Sequence, residues 1–216
     1  MHIKPFGVEI WMNEWETRCD WNLAETCVES ITIGELLQLA GKNEHDLADL
    51  LPMQMTYGAI EGSQRLRTAI AALYDHQEVA NVLVTHGTIS ANLLTHKTLV
   101  SAGDRVVAVV PTYQQHYSIP ASIGADVHHL KLREENGWLP DLDALRELAV
   151  PDTKLIALNN PNNPTGALMA RAMLAEISDI SRGIDALILC DEVYRGTDQE
   201  GSAIDLVHSG CVRKRH

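Results

Sequence analysis

Five short apolar runs constrain this chain more than any other feature. They lie at residues 81–85 (NVLVT), 105–110 (RVVAVV), 125–132 (ADVHHLKL), 155–158 (LIAL) and 187–190 (LILC). The runs are nearly continuous in apolar residues instead of alternating, as parallel strands covered on both faces require. Helical stretches separate them. Leu142, Leu145 and Leu148 recur every third residue after Asp141, a suitable N-cap. Met173, Ile177, Ile180 and Ile184 recur at spacings of 4, 3 and 4. Strand–helix–strand alternation predicts an α/β fold, a mostly parallel sheet with helices on both faces. Upstream, a helix is expected near Ser30 or Thr32, carrying Leu36, Leu37 and Leu39 before Gly41. A second should follow Gly62-Ser63, with Leu66, Ile70 and Leu73 on one face.

Composition narrows the function. The 216 residues are 45% apolar and carry 17 basic against 29 acidic side chains, a net charge of −12. Such an acidic surface disfavours nucleic acid and anionic membranes as partners. No 18-residue apolar run is present and the N-terminus lacks a signal-peptide core, so a cytoplasmic location is expected. Cys19, Cys27, Cys190 and Cys211 are widely spaced and read as free thiols in a reducing compartment. Adjacent His128 and His129 on a strand point to opposite faces and cannot chelate one metal. Trp11, Trp15 and Trp21 are expected to pack on a subunit or domain rather than bind a ligand. Neither a GxGxxG nor a GxxxxGK[ST] signature follows a strand, which argues against a nucleotide-binding module.

Ligands of parallel sheets sit at the carboxyl ends of the strands, so the residues just after each run carry the information. Residues 81–85 lead into His86-Gly87-Thr88-Ile89-Ser90. A glycine there serves either a tight turn or close approach of backbone N–H groups to an anion. Residues 105–110 lead into Pro111-Thr112-Tyr113, an aromatic that either packs in the core or stacks on a flat ring. Residues 155–158 lead into Asn159-Asn160-Pro161-Asn162-Asn163-Pro164-Thr165-Gly166, far more polar and rigid than a connection needs. Residues 187–190 lead into Asp191-Glu192-Val193-Tyr194. A carboxylate ending a buried strand wants a cation or strong donors; a helix cap or an ion pair to an arginine would also satisfy it. The four ends together offer anion donors, an aromatic face, polar donors and a carboxylate. Pyridoxal phosphate presents a phosphate, a flat ring, a phenolic oxygen and a pyridinium nitrogen.

These stretches, with Tyr57-Gly58, Gly62 and Leu66-Arg67 in order before them, resemble the fold-type I pyridoxal-phosphate enzymes of the aminotransferase class I/II family. The resemblance implies roles. The backbone N–H groups at Gly87, Thr88 and Ile89 would hold the phosphate, and Tyr113 would stack on the ring. Asn163 and Tyr194 would bond its phenolic oxygen, and Asp191 would pair with the protonated ring nitrogen. Tyr57 would reach the phosphate of a neighbouring subunit, so a homodimer acting on amino acids and 2-oxo acids is expected. Residues 1–45 would form an N-terminal arm and helix, and residues 46–216 an incomplete cofactor-binding large domain.

The family's Schiff-base lysine follows a serine-rich turn roughly thirty residues past the aspartate. Only 25 residues follow Asp191 here, and their one lysine, Lys214, sits in Cys211-Val212-Arg213-Lys214-Arg215-His216 without that turn. Residues 201–210 still resemble the family. The chain is therefore expected to be a truncated copy, without the catalytic lysine or the small C-terminal domain, and inactive alone. Residues 85–87, 134–138 and 140–143 also resemble a cyclising branch of the family, making lyase or cyclase chemistry the alternative. A non-catalytic pseudoenzyme is a further reading. His86 and His116 flank the expected site.

Overall fold

A computed structural model describes residues 2–24, 26–28 and 30–197. The N-terminal portion carries α1 (Gly7–Trp15), α2 (Ile33–Leu39) and a 3-10 segment at Glu44–Leu50. Thr32 opens α2 through a reciprocal capping box with Glu35, as the leucine spacing predicted. Helix α1 was not expected. Its side chains bury no face, so it carries none of the periodic apolar stripe that reveals a packed helix. Next comes α3 (Gln64–Ala71), capped by the Ser63 hydroxyl, which accepts from the Leu66 N–H.

From residue 87 onward the chain alternates regularly: α4 (Gly87–Leu99), β1 (Arg105–Val110), α5 (Gln115–Ile123), β2 (Asp126–Lys131), α6 (Leu142–Leu148), β3 (Thr153–Asn159), α7 (Arg171–Gly183) and β4 (Leu187–Asp191). The four strands form one all-parallel sheet in the order β2-β1-β3-β4. One face packs against α6 and α7 through Val107, Val109, Ile156, Leu158, Leu145 and Ile177. The other meets α4 and α5, with Val106, Leu155 and Val100 in its apolar part. Central strands β1 and β3 are buried almost throughout, which accounts for their unbroken apolar sequence.

Two expectations need correction. Residues 81–85 are not a strand: Val79–Asn81 is a 3-10 turn and residues 82–85 are extended without a ladder. A strand requires a hydrogen-bonded neighbour, and none lies beside this run among the described residues. The Val84 N–H instead donates to the Glu61 carbonyl, and the Arg67 guanidinium holds the carbonyls of Val79 and Val82 at 2.8 Å. The run 125–132 is also not covered on both faces. Strand β2 is a sheet edge, and within it Leu130 is the buried position.

Candidate functional site

The site forms where β3 and β4 end. Asn159 pairs in register with Asp191, so the NNPNNPTG loop and the DEVY turn leave the sheet side by side. Backbone bonds weld them together. The Asp191 carbonyl accepts from the Asn160 N–H at 2.8 Å and from Asn159 Nδ2 at 2.9 Å. Asn159 Oδ1 accepts from the Asn163 N–H, Asn160 Oδ1 from the Met169 N–H, and Asn162 Nδ2 donates to the Thr165 hydroxyl. Three asparagines therefore satisfy backbone and loop groups internally. The fourth, Asn163, turns its amide to the Tyr194 hydroxyl at 3.3 Å.

Asp191 is only 5% exposed. Its Oδ2 accepts from Asn92 Nδ2 at 2.8 Å and its Oδ1 from the Val193 N–H at 3.0 Å. His116 Nε2 stands 3.3 Å from Oδ2, a close polar contact that draws the carboxyl down. Burial by itself would raise this carboxyl. His116, Asn92 and the Val193 N–H outweigh that effect and hold it below its ordinary value, ionised at neutral pH. The partner sought for this carboxylate is thus an imidazole and an amide rather than an arginine.

Asn92 lies on α4, five residues past Gly87. At 1.5 Å rise per residue the helix start lies about 7–8 Å along the axis from Asn92, which bonds Asp191. Gly87 has φ +71°, the left-handed conformation that favours glycine, and lets the chain swing from the extended 82–85 segment into α4. No side chain caps this helix, so the N–H groups at Gly87, Thr88 and Ile89 remain open to an anion. Gln115 Nε2 donates to the Ile89 carbonyl and ties this turn to α5.

Tyr113 follows β1 and is half-buried. Its hydroxyl donates to Glu9 Oε1 at 3.0 Å, and the Phe6 ring meets its edge at 5.9 Å. Burial, then Glu9, then the Asp191 and Tyr194 charges push its hydroxyl up to about 12. Tyr113 is therefore neutral and close to both Asp191 and Tyr194. The Tyr194 hydroxyl also lies 2.9 Å from Thr26 Oγ1. The N-terminal segment thus touches both tyrosines. Tyr57 is fully exposed and joins none of these contacts.

The α4 turn, Tyr113, Asn163, Asp191 and Tyr194 are accordingly brought to one rim of the sheet. Asn92 was missed by sequence reasoning, and His116 was noted only as flanking. A usable signal existed: Asn92 and His96 are polar residues four apart, on one helical face, and both prove buried. Lys214, Cys211 and residues 201–210 lie outside the described residues. Among the described residues no group of His, Cys, Asp and Glu side chains could hold a metal ion, and no helix is long and apolar enough to cross a membrane.

The ends of β1, β3 and β4 and the first turn of α4 thus gather an aromatic side chain, polar amides, a buried ionised carboxylate and uncapped helix N–H groups in a parallel α/β fold. The chain belongs to the aminotransferase class I and II family, whose profile matches residues 33–209. It is 32% identical over 205 residues to the capreomycidine synthase of Streptomyces vinaceus, covering 93% of this chain and 49% of that protein. A PLP-dependent aminotransferase from Streptococcus suis 89-1591 superposes with a TM-score of 0.86 at 43% identity, over 89% of this chain and 52% of that one. The PLP-dependent cyclase OrfR superposes with a TM-score of 0.79 at 26% identity, over 88% and 49%. The chain thus spans about half the length of these relatives.

Proposed function

We propose that this chain is the pyridoxal-phosphate-binding portion of an aminotransferase acting on amino acids and 2-oxo acids. The observation that carries the reading is Asp191: a carboxylate 5% exposed, held ionised, beside a paired Asn163 amide and Tyr194 hydroxyl. Burying such a charge is costly unless it serves a cation. A protonated pyridine nitrogen would be that cation. The bound cofactor supplies an electron sink conjugated to the substrate amino group, and its strength depends on that nitrogen staying protonated.

This chain's residues would divide the work. Asp191 fixes the ring proton at the nitrogen. Asn163 Nδ2 and the Tyr194 hydroxyl orient the ring through its phenolic oxygen. Tyr113, kept neutral, covers one face and excludes water. The N–H groups of Gly87, Thr88 and Ile89 receive the phosphate, with Tyr57 serving the neighbouring subunit of a homodimer. Apolar side chains left open to solvent, Trp11, Trp15, Trp21, Leu23, Met55 and Ile60, support association with a second copy. A cytoplasmic enzyme of small-molecule metabolism fits this reading. Cyclase chemistry is the second reading, favoured by the match to capreomycidine synthase along 93% of the chain.

Because no serine-rich turn precedes Lys214, the 216-residue chain is expected to bind the cofactor non-covalently and to transfer no amino group by itself. Titration with pyridoxal phosphate, borohydride reduction and peptide mapping test both parts. Saturable binding weakened by Asp191→Asn, with no stoichiometric pyridoxyl-lysine peptide, is the expected result. A defined adduct on Lys214 with amino transfer to a keto acid would overturn the claim of inactivity. Binding indifferent to Asp191 would overturn the site.

A further inference from the structure

Behind Asp191 lie two imidazoles with no solvent exposure at all. His96, on α4, and His116, on α5, meet edge to face with ring centroids 6.1 Å apart and planes at 64°. His96 Nδ1, His96 Nε2 and His116 Nδ1 are buried with no hydrogen-bond partner, and His116 Nε2 has the 3.3 Å contact to Asp191 alone. Leaving a buried polar atom unsatisfied is costly. Two adjacent orphaned imidazoles therefore call for an explanation.

The carboxylate supplies one constraint. His116 Nε2 faces Asp191 Oδ2 at 3.3 Å. A neutral ring that turned a lone pair toward that anion would be repelled, so Nε2 must carry the hydrogen. In the singly protonated ring His116 Nδ1 is then an acceptor, and the neighbouring buried ring is His96. The tautomer of a histidine is set by the bond its other nitrogen makes.

We propose that His96 is a positioning residue: its ring N–H serves His116 Nδ1, after a small rotation of the ring or through one ordered water, and so holds His116 with its Nε2–H directed at Asp191. Burial, with His116 adding to it, lowers His96 from 6.5 to about 4. His96 is consequently neutral near pH 7 and has one N–H to give. The order Asp191–His116–His96 resembles the logic of a catalytic triad, in which a buried third group fixes the ring that does the work. Its value to the cofactor rests on the reading of Asp191 given above; the tautomer itself does not.

The test is nitrogen-15 NMR on the histidine-labelled 216-residue chain without cofactor, near pH 7.5, with His96 and His116 assigned by single substitution. His116 is expected as the Nε2–H tautomer and His96 as neutral. His96→Phe should leave His116 as a tautomer mixture, and His96→Gln, which keeps an N–H donor, should restore the single form. The same His96→Phe chain should bind pyridoxal phosphate roughly three- to tenfold more weakly, the factor one net hydrogen bond carries. An Nδ1–H or doubly protonated His116 in the unaltered chain would overturn the proposal, even if His96→Phe fails to fold. So would a His116 signal unmoved by a folded His96→Phe. The expected tautomers together with pyridoxal phosphate binding indifferent to Asp191→Asn would instead preserve the relay and refute the cofactor reading.

Discussion

Replacing Asp191 by asparagine is the sharpest perturbation available. The carboxylate accepts from Asn92 Nδ2 at 2.8 Å and from the Val193 N–H at 3.0 Å, one donor on each oxygen, and has His116 Nε2 at 3.3 Å. An amide of the same shape retains one acceptor. Its NH2 group must then confront either the Val193 N–H or the Asn92 amide. At least one hydrogen bond to a charged acceptor is lost, worth about 1.5–3 kcal/mol. The fold lowers this carboxyl, so its stabilisation is fully present above the unfolded value near 3.9 and is lost as pH falls through the depressed folded value. Asp191→Asn should therefore lower stability at pH 7 and flatten the acid loss below about pH 4. Cofactor affinity should fall by about ten- to hundredfold, because the pyridinium loses a charge-assisted partner. Tyr194→Phe removes one of two donors to the ring's phenolic oxygen and should cost less, about two- to tenfold. Urea melts at pH 7 and 3.5 and a fluorescence titration with pyridoxal phosphate measure these quantities. Affinity in Asp191→Asn equal to that of the parent chain would refute the assignment of Asp191 as the ring-nitrogen partner.

Three other outcomes are expected. Gly62 has φ +101°, and a Cβ there would stand 2.5 Å from Val84 Cγ2 and 2.7 Å from Val84 Cβ; Gly62→Ala should cost roughly 1–3 kcal/mol, and an unchanged melting temperature would contradict it. His96 is neutral when folded down to about pH 4 but takes a proton below 6.5 when unfolded, so roughly 3 kcal/mol of stability should disappear as pH falls between those values. His96→Leu should remove most of that dependence, and parallel pH profiles for the two chains would show the premise wrong. The chain should also self-associate, given Trp21 at 83% and Leu23 at 94% exposure; a clean monomer in size-exclusion chromatography at micromolar concentration would count against the apolar arm as an association surface.

What could be read in advance follows from which interactions are local. Strands β1, β3 and β4 are apolar because helices cover both their faces, so their sequence carries the evidence, and the residues ending them could be named as site candidates. The capping residues Thr32, Ser63 and Asp141 act within three positions of themselves and were legible for the same reason. Residues 81–85 carry the same apolar signature, yet ladder formation depends on a neighbour that no short window contains. Helix α5 was hard to read because Pro120 lies inside it and three of its five buried residues are polar. The Asn92–Asp191 bond spans 99 residues, and His116 reaches Asp191 from another helix. Pairings at that distance leave no periodic trace.

The two faces of the sheet make the case for a site independently of any resemblance. Against α6 and α7 the core is aliphatic, with Leu145, Ile156, Leu158 and Ile177 fully buried. Under α4 and α5, at the same sheet, Asn92, His96, His116 and Asp191 are buried at 0–5% exposure. Well-packed apolar side chains of similar volume in those four positions would be neutral or more stable, by about 1–4 kcal/mol where buried ionic groups have been replaced elsewhere. A fold selected for stability alone has no reason to place them there, at the end of the strand beside which Asn163 and Tyr194 meet. Local rules of burial are broken where function demands it and obeyed elsewhere. The polar cluster behind Asp191 is best understood as the support that keeps one carboxylate charged, dry and correctly aimed.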